Sequence, residues 1–223
     1  MSRMSETIAV VDFETTGLGP GNGGRATEVA AVLVKDGCIV DRYASLMNSG
    51  AWVPPQIQVL TGITNEMLGD APPSATVMRE LAGFTAGCPL IAHNASFDES
   101  FWRAEMQRAG LDVDPAHQFA CTVLLSRRLW PESRSHALGA MTAFLGLETA
   151  GRAHRALADA QVTAQLLLKV QHELARRFAL DLGEQCVDHA LLRHLQRTPL
   201  RWLRRGLVDH VKARRAEIDQ PGG

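Results

Sequence analysis

The chain has 223 residues, 46% of them hydrophobic, 5% aromatic and 21% charged, with a formal net charge of −1. That length suits one hydrophobic core with a modest extension, and no apolar run is long enough to span a membrane or to serve as a signal peptide. Cys38, Cys88, Cys121 and Cys186 are too widely spaced for a zinc site or a disulfide framework, so they read as buried, reduced cysteines of a cytoplasmic protein.

The first predicted element is a buried strand over Ile8–Glu14. Side chains alternate along a strand, so Asp12 and Glu14 project to one side. A bare pair of this kind also fits a solvated strand end. On a buried strand, however, two same-side acids form a charge cluster that calls for a hard divalent cation. Gly17, Gly19, Gly21, Gly23 and Gly24 follow and read as a flexible loop. No G-K-[ST] is present, so this is not a nucleotide-binding P-loop. Strands are predicted over Glu28–Lys35 and Cys38–Met47, joined by a hairpin turn at Asp36-Gly37. Short helical stretches are expected at Pro55–Leu60 and Ser74–Ala86.

A second short strand, Leu90–Ala92, runs into His93-Asn94-Ala95-Ser96-Phe97-Asp98 and a helix over Ser96–Ala109. Asp98 falls in that helix's first turn, where an acid alone would also serve to complement the helix dipole. His93 and Asn94 fit a cap on the strand-to-helix turn. Helices are then predicted over Thr122–Leu129 and His136–Leu145, and a long one from about Arg155 to Phe178, opened by His154-Arg155-Ala156-Leu157-Ala158-Asp159. Two more helical stretches, about Glu184–Gln196 and Pro199–Arg215, form an extension. Strands followed by helices indicate an α/β domain over residues 6–178, with a helical extension over 179–223. Residues 176–217 carry ten Arg or Lys against five Asp or Glu. Such a basic tail suits phosphates, as it also suits a solvated helix face.

The three blocks, in this order, resemble the DnaQ-like, or DEDD, 3′–5′ exonuclease superfamily in its histidine subclass. Asp12-Phe13-Glu14-Thr15-Thr16-Gly17 is similar to the first motif, His93 to Asp98 to the second, and His154 with Asp159 to the third. Leu60-Thr61-Gly62-Ile63-Thr64-Asn65-Glu66-Met67-Leu68 resembles the segment between the first two motifs in proofreading exonucleases of bacterial replicative polymerases, such as the epsilon subunit of DNA polymerase III. The resemblance covers about residues 6–178. It implies an RNase H-like fold, a mixed five-stranded sheet flanked by helices.

It also implies two magnesium or manganese ions held by Asp12, Glu14, Asp98 and Asp159. Asp12 would bridge both, Glu14 and Asp159 would complete the site of the attacking water, and Asp98 would support the second ion. His154 would be the general base, a role that imidazole suits because it titrates near working pH. Thr15, Gly17 and Leu18 would lie near the terminal nucleotide. Ile63 and Phe97 would wedge or stack against bases, a role that competes with ordinary core packing for Leu18, Ile63 and Phe97. Asn94 would orient Asp98 or bind substrate. The expected activity is hydrolysis of single-stranded DNA 3′ ends, in proofreading or repair, with a DNA polymerase as a candidate partner. The same chemistry on RNA, as in ribonuclease T, is the nearest alternative. A non-catalytic module that recruits a polymerase is the second.

Overall fold

A computed structural model describes residues 6–17, 19–149 and 151–219. Its centre is a five-stranded sheet. Strands β1 (Ile8–Thr15), β2 (Ala26–Lys35) and β3 (Cys38–Leu46) form an antiparallel meander. The β2–β3 turn places Asp36 at φ 52° and Gly37 at φ 76°. Two positive φ values in a two-residue loop match the twist of the strands, and glycine takes that conformation without steric cost. Helices α1 (Pro55–Thr61), α2 (Asn65–Gly69) and α3 (Ser74–Phe84) lead to strand β4 (Leu90–Ala92), and helix α4 (Ala95–Arg108) leads to strand β5 (Phe119–Cys121). β4 runs parallel to β1 and β5 parallel to β4, giving the order β3-β2-β1-β4-β5. The C-terminal ends of β1, β4 and β5 therefore share one edge of the sheet.

Helices α5 (Thr122–Leu129), α6 (Leu138–Leu145) and α7 (Ala156–Arg177) follow, then α8 (Ala179–Leu182), α9 (His189–Leu195) and α10 (Leu203–Asp219). The alternation along β1 sorts the core into two layers. Ile8 and Val10 pack with Leu125, Leu166, Leu167 and Val170 of α5 and α7. Ala9, Val11 and Phe13 pack on the other face with Val77, Leu81, Phe101 and Trp102 of α3 and α4. Each layer removes a continuous apolar surface from water, which drives assembly.

Predicted and observed elements differ where caps or brevity decide. The helix expected from His136 starts at Leu138, because Ala137 is extended. The helix expected from Glu184 starts at His189, where the Asp188 carboxylate accepts from Leu191 N at 3.0 Å. β5 and α2 are short elements without a clear sequence period. Cys88 and Cys121 are buried as expected, whereas Cys38 and Cys186 are exposed, and all four are free. No helix among the described residues is long and apolar enough to cross a membrane.

The extension belongs to the same core as the sheet. Leu182, Leu191, Leu195, Leu203 and Leu207 cluster with Val10, Val32, Ile91 and Leu167. α9 covers the free edge of β5, where Cys121 N donates to Gln196 Oε1 at 2.6 Å, and it reaches β4 through His189 Nε2, 2.8 Å from Leu90 O. Covering an edge strand protects its unpaired backbone groups. Phe178 ends α7, but no break in the core coincides with it.

Candidate active site

Five sequence-predicted residues meet at the shared sheet edge. Even-numbered residues of β1 face α7, so Asp12 and Glu14 end the stripe begun by Ile8 and Val10. Asp12 is the one partly exposed residue of an otherwise buried strand. Asp98, in the first turn of α4, is only 3% exposed and accepts a 3.1 Å hydrogen bond from Phe13 N. That bond ties α4 to β1 across 85 residues, so Asp98 does more than complement a helix dipole. Asp159, in the first turn of α7, accepts from His154 N at 3.1 Å. His154 is exposed and holds a left-handed backbone, φ 59°. Ligand atoms of Glu14, His154 and Asp159 all lie within 4.8 Å of one another.

The acids disfavour one another's charge. Burial pushes the Asp12 carboxyl well above its usual range, and Asp98, Glu14, Asp159 and Glu28 push it further. Glu14 is raised to about 8 by burial, then by Asp159, Glu28 and Asp98, with Arg155 opposing. Asp98 is raised to about 8 by burial, against the Phe13 N–H. Asp159 is raised by burial, against the His154 N–H. Among the described residues no Lys or Arg forms an ion pair with any of the four. Buried carboxylates without a basic partner need protons or a cation. An all-carboxylate donor set with an imidazole at its rim fits hard ions such as magnesium or manganese.

Two supporting networks escape sequence reasoning. Glu28 lies directly across from Glu14 in the β1–β2 ladder and is 5% exposed. It accepts from Arg155 Nη2 at 2.6 Å, Arg155 Nε at 3.0 Å and Ala156 N at 2.9 Å. Arg155 is the N-cap of α7 and makes no side-chain cap bond there. Glu28 caps the helix instead, fixing the start of the element that carries Asp159. Its one sequence signal is an acid at the head of the apolar run Val29–Val34. The second network holds the turn after Glu14. Arg25 donates to the buried Glu105 through Nε at 2.8 Å and Nη2 at 3.0 Å, while Arg25 N donates to Thr16 Oγ1 at 3.0 Å. The glycine-rich loop, expected to be flexible, is closed by these bonds and by a short 3₁₀ turn at Pro20–Asn22.

Substrate-contact expectations fare unevenly. Thr15 Oγ1 accepts from Gly17 N at 3.3 Å, and Gly17 has φ 137°, so this backbone turn sits beside the acids. Leu18 lies outside the described residues. Ile63 is fully buried with Val53 and Leu68. Of its two expected roles, a wedge against bases and ordinary core packing, burial fits the second: Gly62, left-handed at φ 75°, ends α1 and turns Ile63 inward. Phe97 is partly buried, with its ring 5.0 Å from Phe101. Asn94 is exposed at φ 70° and makes no cap bond, and the Phe13 N–H, not Asn94, holds Asp98. His93 ties the end of β4 to its neighbours, 2.9 Å from both Thr122 Oγ1 and His136 O.

Comparison with known proteins gives a consistent picture. The family described as Exonuclease, RNase_T, matches residues 9–167. The chain is 37% identical over 172 residues to a DNA polymerase III PolC-type of Bacillus cereus, covering 77% of this chain and 12% of that protein. It is 32% identical over 169 residues to the 3′-5′ exonuclease DinG of Bacillus subtilis, covering 76% and 18% respectively. The chain thus spans less than a fifth of these relatives' length. Among solved structures, Exonuclease X in complex with 5′ overhanging duplex DNA aligns with TM-score 0.60 and 31% identity, over 74% of this chain and 91% of that one.

Proposed function

The chain belongs to this exonuclease family and is a nuclease of nucleic-acid ends, and from that premise we propose that it removes nucleoside 5′-monophosphates from DNA 3′ ends. In this reading two divalent cations, magnesium or manganese, are held by Asp12, Glu14, Asp98 and Asp159. The observation that carries it is the convergence of four carboxylates, each with a raised pKa and none ion-paired to a Lys or Arg among the described residues. Bound there, the cations supply charge stabilisation and a water acidic enough to attack at neutral pH.

The chain's own residues do the rest. Phe13 N–H holds the Asp98 carboxylate toward Asp12. Glu28 fixes the start of α7, and with it Asp159. His154, exposed at the rim and within 4.8 Å of Glu14 and Asp159, takes the proton of the attacking water. The Thr15–Gly17 backbone turn receives the terminal nucleotide's 3′ hydroxyl. DNA is favoured because the relatives at 32–37% identity include a DNA polymerase, and the Exonuclease X match was solved on DNA. A DNA polymerase partner and a cytoplasmic setting accompany this reading.

Matched DNA and RNA oligomers, labelled at the 5′ end and digested side by side, test it. The expected result is a magnesium- or manganese-dependent ladder shortening from the 3′ end of DNA, with 5′-mononucleotides released. Faster loss of RNA would make the chain an exoribonuclease. Full activity in excess EDTA would remove the cation assignment.

A further inference from the structure

We propose that the C-terminal extension carries a second binding surface, a groove between α9 and α10 that holds single-stranded DNA upstream of the 3′ end. It rests on the reading of the acid site as a DNA exonuclease. The groove has a volume of about 670 Å³ and is lined by Arg193, Arg197, Trp202, Arg205 and Asp209, among others. Trp202, on the 3₁₀ turn Leu200–Trp202, is 48% exposed. The guanidinium carbons of Arg201 and Arg205 lie 5.7 and 5.8 Å from its ring centroid, within cation–π reach. Arg193 donates to Gln118. The acid on this wall, Asp209, faces Arg205 at 3.7 Å.

A solvated helix face accounts for the arginines but not for an exposed indole set among them. Phosphates complement the guanidiniums and bases stack on the ring, a combination that grips single strands without regard to sequence. Position supports the same occupant. Gln196 pins the end of α9 to Cys121, the last residue of β5, so Arg197 follows at the sheet edge that carries the acids. β5 is two strands from β1, about 10 Å across the sheet. The two helices pack closely at the groove: a Cβ on Gly206 of α10 would stand 2.8 Å from Thr198 Cγ2 just after α9 and 3.3 Å from His194 Nε2 of α9.

Because the extension shares the core, point substitutions in the full chain are the test. Fluorescence anisotropy in EDTA follows a single-stranded DNA of about 30 nucleotides, several site lengths, and the KM for magnesium-dependent hydrolysis of a trinucleotide is measured in parallel. Trp202→Ala should weaken the long strand about tenfold and Trp202→Phe far less. Arg193→Gln, Arg197→Gln and Arg205→Gln together should lower the salt dependence of log K by about 2. If that triple variant fails to fold, Arg197→Gln with Arg205→Gln should lower it by about 1.4. The trinucleotide KM, and its turnover with magnesium, should stay at wild-type values. Unchanged long-strand affinity and salt slope would overturn the groove. So would an equal rise in the trinucleotide KM, loss for RNA but not DNA, or loss for an acidic peptide with DNA binding intact. Wild-type protein that fails to cleave DNA would refute the proposed activity, whereas cleavage with unaffected variants would refute the groove alone.

Discussion

The acid site and the arginine groove are opposite in sign, and burial separates them more than sign does. At the end of β1, ionisation is costly: Glu14 and Asp98 are 9% and 3% exposed and, among the described residues, form no ion pair with a Lys or Arg. In the groove Arg197 and Arg205 are exposed, so their charge costs little and acts at longer range. The first region must take up protons or cations before a polyanion can settle there, whereas the second attracts it at once. The contrast teaches that function here follows from where a charge is buried, not from net charge, which is −1 for the whole chain.

Asp12→Asn tests the contrast most severely. Turnover of labelled DNA should fall by about three decades or more, since an ion contact contributes several kcal/mol to the transition state. The same variant should melt higher than wild type in EDTA, because one of the mutually repelling acids is gone. An active variant, or one that melts lower, breaks the comparison. His154→Gly should come next, lowering single-turnover rates by roughly 10²–10⁴. Its stability should hold, or rise by under about 1 kcal/mol, because glycine accepts the left-handed backbone that histidine adopts at φ 59°. A loss of melting temperature would instead make this histidine structural.

The acid site also predicts a pH dependence of stability. Glu14 and Asp98 titrate near 8 in the folded chain, against 4.5 and 3.8 without its influence. Between those values the folded chain binds more protons than the unfolded one, so stability falls as pH rises. The contribution is fully present below about pH 4 and lost as pH passes 8. Melting in EDTA should therefore drop by several degrees from pH 5 to pH 8, and added manganese should raise it more at pH 8 than at pH 5. A flat profile would mean that the acids are not poised as described.

Smaller effects sharpen the picture. Arg155→Ala leaves Glu28 buried beside Glu14 without its partner. It should cost about 2 kcal/mol in denaturant melts, less than for a fully buried pair because Arg155 is 36% exposed. Cation affinity should weaken with it as the start of α7 loosens, whereas an unchanged affinity would reduce Glu28 to a structural cap. Least of all, Arg197→Gln should shift stability by under about 0.5 kcal/mol, as expected for an exposed charge. A larger loss would show that the groove arginines are structural.

What the chain determined by itself was local. Alternation along Ile8–Glu14 put two acids on one face, Asp36-Gly37 set the hairpin, and the 3.6-residue period of α7 was legible to within a residue at each end. These follow from strand pleat, turn stereochemistry and helix pitch, which neighbours in sequence impose on one another. The three acid blocks were legible for the same reason, since side-chain chemistry is written in the residues. Only the tertiary structure decided which distant groups would meet. Phe13 reaches Asp98 across 85 residues, and Glu28 reaches Ala156 across 128. Ile63, open from the sequence to a wedge or a core role, is turned into a core by Gly62, and the helical extension fills the edge of β5. Such contacts depend on how whole layers pack, because burial is a property of the assembled fold and no local period reports it.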